Sequence, residues 1–152
     1  MNQYSDNGIN FTQGFEGCYL IAYQDTGKVW TIGIGTIKYP NGVAVKKGDK
    51  ITLQQAKEYF QHDIKECVDS VNKFNSNLQQ HEFDMLVDSV YNCGAGFLDS
   101  FDGPQAFTRW ISDNGAIYNG LMQRRCLASY IYQRGYTEKA LKYIADRIKS
   151  GK

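Results

Sequence analysis

Glu16, Asp25 and Thr31 stand nine and then six residues apart in EGCYLIAYQDTGKVWTIGIGT, a stretch otherwise apolar and studded with glycine. A carboxylate among aromatics is costly unless something uses it. Cleaving a glycosidic bond asks for a proton donor to the leaving oxygen. It also asks for a carboxylate that stabilises charge or orients the attacking water. Burial disfavours a charged carboxylate and so keeps a donor protonated near neutral pH. Glu16, between Phe15 and Cys18, suits the donor. Asp25, in a wetter turn, would stay ionised, and Thr31 would hold a water by its hydroxyl. The residue types leave other roles open. Paired carboxylates at this spacing are common, Asp before Thr-Gly is an ordinary turn residue, and Thr is ordinary in a strand.

The elements that must position these groups follow from the pattern. Residues 8–16 read as a short helix ending near Glu16, with Gly17 as its left-handed exit. Tyr19 to Gln24 reads as a largely buried strand, DTGK as a turn, and VWTIGIGTIKY as a second strand. PNG, 40–42, is a further turn. Thr52-Leu53-Gln54-Gln55 has capping-box form. Leu53, Ala56, Phe60, Ile64, Cys67 and Val71 then recur at helical spacing, which predicts one helix of roughly twenty residues. Asn77-Leu78-Gln79-Gln80 repeats the box before Phe83, Leu86, Val87, Val90 and Tyr91, and NCGAG stops that helix. Pro104 suits a first turn before Phe107, Trp110 and Ile111. Leu121 to Ile131 forms a further helical segment, and Thr137 caps a last helix through Ile148. The class is α+β: a small N-terminal β-sheet lobe, a long helix and a larger helical C-terminal lobe, with a cleft where the lobes meet.

Composition agrees with one folded domain over 1–152: 42% of residues are hydrophobic, 22% are charged, and the net charge is +1. So small a charge does not suggest a nucleic-acid binder. No apolar run is long enough to span a membrane, and MNQYSDNGINF does not read as a signal peptide. Cys18, Cys67, Cys93 and Cys126 lack metal spacing. Four free, buried thiols are the plain expectation, although an even count also permits disulfides. No P-loop or dinucleotide motif is present.

The pattern E-x8-D-x5-T, with FEG before it and W-T-I-G-x-G around the Thr, resembles the T4 lysozyme-like phage lysozymes, glycoside hydrolase family 24. Further matches follow in order. ITLQQAKEYFQHDI resembles the family's interlobe helix. FDMLVDSVYNCGAG resembles its F-x-x-L-V-x-x-x-x-N-x-G segment through Phe83, Leu86, Val87, Asn92 and Gly94. GLMQRR resembles its G-L-x-x-R-R motif. The resemblance implies a lysozyme-like fold, with a sheet lobe over about 12–52, an interlobe helix over about 53–72 and a helical lobe over about 73–152. It implies an inverting muramidase endolysin acting on the β-1,4 bond between N-acetylmuramic acid and N-acetylglucosamine in peptidoglycan. Glu16 would be the general acid, with Asp25 and Thr31 flanking the water. No cofactor, metal, nucleic acid or stable membrane association is implied. A monomer is expected, stored in the host cytoplasm and reliant on a separate permeabilising protein to reach the wall. The rival reading is a lysozyme-fold peptidoglycan-binding protein with little or no turnover.

Two positions depart from the family. Thr36 stands where a His commonly pairs with an Asp of the long helix, here Asp63, so that Asp would lack its usual cation. Ala128 stands where a Glu commonly follows the Arg pair. Arg124 and Arg125 are adjacent and so point in different directions; one is expected near Glu16. Asn92 is either a helix stop or a hydrogen-bonder in the cleft. Tyr39 and Tyr23 offer flat faces to sugar rings, while Trp30 should alternate away from Thr31 into the core. Met85 and Met122 are expected as core fillers.

Overall fold

The computed structural model describes residues 1–113, 116–117 and 119–151. Asn114, Gly115, Tyr118 and Lys152, within the span assigned to the helical lobe, lie outside the described residues.

Helix α1 runs from Asp6 to Glu16. Ser5 caps it, accepting from Gly8 N at 3.1 Å while its own hydroxyl is held by Asp84. Ile9 and Phe11 enter the core. Gly17 ends the helix at φ 79°, the left-handed side that a Cβ disfavours. Strands β1 (Tyr19–Gln24) and β2 (Trp30–Gly33) pair antiparallel, with Tyr23 opposite Thr31 and Gln24 opposite Trp30. On the other edge of β1, Ala22 N donates to Asp49 O at 2.9 Å and Ile51 N to Leu20 O at 3.0 Å.

β1 is not the buried strand that its apolar composition predicted. Tyr19, Leu20 and Ile21 are 43%, 41% and 58% exposed. A two-stranded sheet with no layer on its outer face has nothing to bury them against. Trp30 is half-buried and lies outside the main core, which is another departure.

The helix over the interlobe stretch is divided. α2 (Leu53–Asp63) starts in the capping box, where Thr52 Oγ1 accepts from Gln55 N and Gln55 Oε1 from Thr52 N. α3 (Lys65–Phe74) follows after a single turn residue, Ile64. Ile64 N still donates to Phe60 O at 2.9 Å, and Val68 N to Ile64 O at 3.0 Å, so the path stays helical through the break.

α4 (Gln80–Cys93) is the centre of the helical part. Its box sits two residues later than the sequence suggested: Glu82 accepts from Gln79 N at 2.8 Å. Every residue from Phe83 to Val90 is buried, the polar ones included. α3, α1 and α6 (Asn119–Arg134) pack around it, with α5 (Gly96–Asp99) at its end. A 3₁₀ turn over Pro104–Arg109 lies on α6, and the two-residue strands β3 (Ser112–Asp113) and β4 (Ala116–Ile117) pair antiparallel. α7 (Glu138–Lys149), capped by Thr137, closes over α1. Phe97, Phe101, Phe107, Trp110 and Tyr132 interlock with ring centroids 5.4–5.9 Å apart. Each such pair adds about 0.5–1.5 kcal/mol beyond its buried area. Met85 is in the core, but Met122 is 40% exposed, against expectation.

Candidate active site

Glu16 is the last residue of α1, and its neighbour Phe15 holds that helix end in place. The Arg147 guanidinium of α7 lies 4.0 Å over the Phe15 ring, and Arg147 Nε donates to Gly14 O at 2.9 Å. A cation thus meets an open carbonyl at the negative end of the helix, where it is favourable. Glu16 is not as buried as its apolar neighbours implied: its side chain is 29% exposed. Its Oε1 accepts from Arg124 Nη1 at 2.6 Å, so Arg124 is the member of the pair that reaches Glu16.

Asp25 and Thr31 are fixed through one residue. Val29 N donates to Asp25 Oδ1 at 2.9 Å, and Thr31 Oγ1 donates to Val29 O at 3.1 Å. Asp25 is part-exposed in the turn after β1, and its Oδ2 has no partner among the described residues. Thr31 is buried, directly across the sheet from Tyr23. The Tyr23 phenol is pushed up by burial first, then by Tyr19 and by the charges of Glu16 and Asp25. Both carboxylates therefore act on the tyrosine that Thr31 faces. Glu16 ends α1 three residues before β1 begins, and Asp25 follows β1 directly.

Behind Glu16 lies a buried charge network that the sequence pattern does not predict. Asp88 is fully buried on α4. Arg124 Nε and Nη2 bind its two oxygens at 3.0 and 2.7 Å, Thr12 Oγ1 donates to Oδ1 at 2.8 Å, and Arg125 Nη1 lies 3.7 Å from Oδ2. Tyr4 completes the chain with a 2.7 Å bond to Thr12. Burial would raise the Asp88 carboxyl, but the two guanidiniums outweigh it and hold it below the usual range. Asp88, not Glu16, takes the bidentate face of Arg124, so the guanidinium reaches Glu16 with its charge already matched. The sequence did carry a signal: Asp84 and Asp88 lie one turn apart in a helix whose other positions from Phe83 to Val90 are mostly apolar. Asp84 is buried too, accepting from Ser5, from Gln80 Nε2 at 2.8 Å and from Tyr136 at 2.8 Å.

Asn92 lies at the other end of this network, where its Oδ1 accepts from Arg125 Nη2. Ala128 is buried and offers no carboxylate, and Arg125 Nη1 makes no hydrogen bond among the described residues. The Thr36 position turns out differently from its expectation. The pair with Asp63 is replaced rather than lost: Thr36 Oγ1 donates to Asp63 Oδ2 at 2.6 Å, and His62 Nδ1 lies 3.7 Å from Oδ1. Burial still pushes the Asp63 carboxyl up. Tyr91 links the two regions. Its hydroxyl donates to Ile34 O at 3.3 Å, and its phenol is pushed up by burial and by the charges of Glu16 and Asp63. A Cβ on Gly35 would stand 2.7 Å from the Tyr91 hydroxyl, so this contact requires glycine.

Tyr39 lies in a pocket with Tyr59. Its hydroxyl donates to Asp49 Oδ2 at 2.8 Å, and desolvation and that carboxylate push it up to about 12. All four cysteines are free, but none is buried as expected: Cys18, Cys67 and Cys93 are half-buried and Cys126 is exposed. Among the described residues no His, Cys, Asp and Glu side chains group as a metal site would, and no helix is long and apolar enough to cross a membrane.

The profile of the family described as Phage lysozyme matches residues 13–127. The endolysin of Bacillus phage PZA is 34% identical over 148 residues, covering 88% of this chain and 56% of that protein. This chain spans about half the length of the Bacillus phage relatives it matches. The solved endolysin from Escherichia coli O157:H7 phage FAHEc1 superposes with a TM-score of 0.80 at 33% identity, covering 88% of this chain and 94% of the other. A mutant of P22 lysozyme superposes with a TM-score of 0.78 at 25% identity, covering 88% and 99%.

Proposed function

Because the chain belongs to the phage lysozyme family, we propose that it is an endolysin, an N-acetylmuramidase that hydrolyses the β-1,4 bond between N-acetylmuramic acid and N-acetylglucosamine in peptidoglycan. What supports this reading is Glu16 at the end of α1, braced by Arg124, ahead of a sheet that fixes Asp25 and Thr31 through one shared residue, Val29.

Glu16 gives its proton to the glycosidic oxygen as the bond to the anomeric carbon breaks. A water held between Asp25 and Thr31 attacks the opposite face, and Asp25 takes its proton. The free Oδ2 of Asp25 is the acceptor for that water. The Thr31 hydroxyl, whose hydrogen is already given to Val29 O, receives a hydrogen bond from it. Attack from the far face inverts the anomeric carbon. Asn92 acts through Arg125 as a brace, and Tyr39 contacts the glycan away from the scissile bond.

The lysozyme-like domain works as a monomer, without a cofactor. It is stored in the host cytoplasm and released to the wall by a separate permeabilising protein. Four free thiols fit a reducing compartment. The test is digestion of purified peptidoglycan. Fragments with muramic acid at the reducing end, formed first as the inverted anomer, are expected. Sedimentation with the wall and no fragments would identify a binding protein instead.

A further inference from the structure

Glu16 stands on the last turn of α1, the least supported part of that helix. Gly17 turns the chain away at φ 79°, and its N–H reaches Gln13 O at 2.8 Å. The next carbonyl, Gly14 O, accepts from no backbone amide among the described residues. A helix end of this kind frays unless something outside the helix holds it. Arg124 binds the Glu16 carboxylate at 2.6 Å. A bond at the tip of a side chain does not fix the backbone that carries it.

Arg147 of α7 holds that backbone. Its Nε donates to Gly14 O at 2.9 Å, its guanidinium carbon lies 4.0 Å from the centre of the Phe15 ring, and its Nη1 donates to Gln123 Oε1 at 3.2 Å. Gly14 is buried against α7, where an added Cβ would stand 3.5 Å from Arg147 Cβ. Gln123 immediately precedes Arg124 on α6. One guanidinium therefore touches the two residues ahead of Glu16 and the residue ahead of its partner. The Phe15 ring also faces Arg124, whose guanidinium carbon is 5.7 Å from its centre. Among the described residues Arg147 forms no ion pair. Its partners are a carbonyl, a ring and an amide oxygen, all neutral, and its own charge is permanent. The contact thus persists whether Glu16 is protonated or ionised, as a general acid must be in turn. α7 (Glu138–Lys149) lies beyond residues 13–127, the span shared with the phage lysozyme family.

We propose that Arg147 is a positioning residue, which fixes the last turn of α1 against α6 and so keeps Glu16 aligned with Arg124 for proton transfer. The inference rests on the muramidase reading and makes the last helix part of the machinery. Proton donation needs the acid within hydrogen-bond reach of the leaving oxygen. A misplacement of about 1 Å costs up to about 10² in rate. Without Arg147 the Gly14 carbonyl loses its donor, the Phe15 ring loses its nearer cation, and the turn that carries Glu16 opens. Arg147 is not itself one of the groups that meet the glycan, so the loss falls on kcat rather than on KM.

The experiment compares the full chain with Arg147→Met, Arg147→Lys and Ile144→Val. Ile144 is a buried residue of α7, so its variant loosens that helix and leaves Arg147 in place. Three quantities are measured: kcat and KM on a soluble, uncross-linked strand of alternating N-acetylglucosamine and N-acetylmuramic acid; the thermal midpoint; and hydrogen exchange at the amides of residues 15–17 against those of α4. In Arg147→Met, kcat should fall by about tenfold to a hundredfold with KM within about twofold of the parent. Exchange should quicken by about tenfold more at residues 15–17 than in α4. Arg147→Lys keeps a cation near the ring without the fork, and its kcat should fall between the two. Ile144→Val should lower the thermal midpoint and keep kcat within about twofold. The proposal is overturned if Arg147→Met keeps kcat within twofold or loses only in KM. It is overturned too if Arg147→Lys does no better than Arg147→Met, if Ile144→Val loses as much kcat, or if exchange at residues 15–17 does not quicken. The two readings fail separately. A parent that leaves the strand uncut removes the muramidase, and the exchange comparison then decides whether Arg147 holds the turn. A parent that cleaves, with Arg147→Met equally fast, keeps the muramidase and removes the positioning role.

Discussion

Asp25, the proposed water-holding residue, and Asp88, linked to Glu16 through Arg124, lie in regions built on opposite terms. Asp25 sits in a part-exposed turn on a thin two-stranded sheet, held by one backbone amide and open on its second oxygen. Asp88 is fully enclosed on α4, with both oxygens bound to Arg124 and a third donor in Thr12. The sheet region leaves a carboxylate available to water and substrate. The helical region spends its charge on other charges. Part-exposed groups with a vacant valence are placed for reaction, and closed networks are placed for positioning.

The comparison breaks most sharply at Glu16, which joins the two regions. Glu16→Gln keeps the shape and an acceptor for Arg124 but has no carboxyl proton to give. Cleavage should fall by about 10²–10⁴, while the thermal midpoint shows a fold that is still intact. A folded variant cleaving within about threefold of the parent would move the acid role to another residue.

Asp88→Asn tests the buried side. It leaves two buried guanidiniums short of their countercharge, which should cost about 3–5 kcal/mol and lower the melting temperature by about 10 °C. The pH dependence has a definite sign. The folded-state carboxyl is held below its unfolded value, so its contribution is complete above the ordinary Asp range near pH 3.9. It is lost as pH falls through the depressed value. Denaturant melts from neutral to acid pH should therefore show a shallower acid limb in Asp88→Asn.

Asp25→Asn should do the reverse: lower cleavage steeply and move the melting temperature little, since its carboxylate is tied to one amide. Thr31→Ala should cost less activity, about tenfold for one lost hydroxyl contact to water, and some stability because the site is buried. If Asp25→Asn lowers stability as much as Asp88→Asn, the division between the regions fails.

The smallest effect belongs to Asp63, at the join. Burial pushes its carboxyl up, so its ionised form costs stability once pH rises above the raised value. Below the unfolded value near 3.9 the cost is absent. Asp63→Asn keeps an acceptor for Thr36 and should stabilise slightly at neutral pH but not at pH 3. Equal shifts at both pH values would show that the hydrogen bond, not the charge, is what matters.

Much of this was legible in the chain. Ser, Thr and Glu caps, the glycine exits and the helical spacing of apolar residues are local chemistry, written in neighbouring residues. They placed α1, α2, α4 and α7 to within a few positions. The misreadings share one cause. Apolar composition predicts a buried strand at Tyr19–Ile21, an enclosed Glu16 and a core Met122, yet all are open to solvent. Burial depends on what packs on the other side.

The sequence by itself determined which residues can do the chemistry and the local elements they ride on, because side-chain type, turn and cap are set within a few bonds. Only the tertiary structure decided how the charges are shared. Arg124 comes from a helix far along the chain, and its three nitrogens divide between Asp88 and Glu16 because α1, α4 and α6 pack against one another. Hydrogen-bond reach is about 3 Å, and no spacing along a chain reports a distance of that kind between groups 108 residues apart.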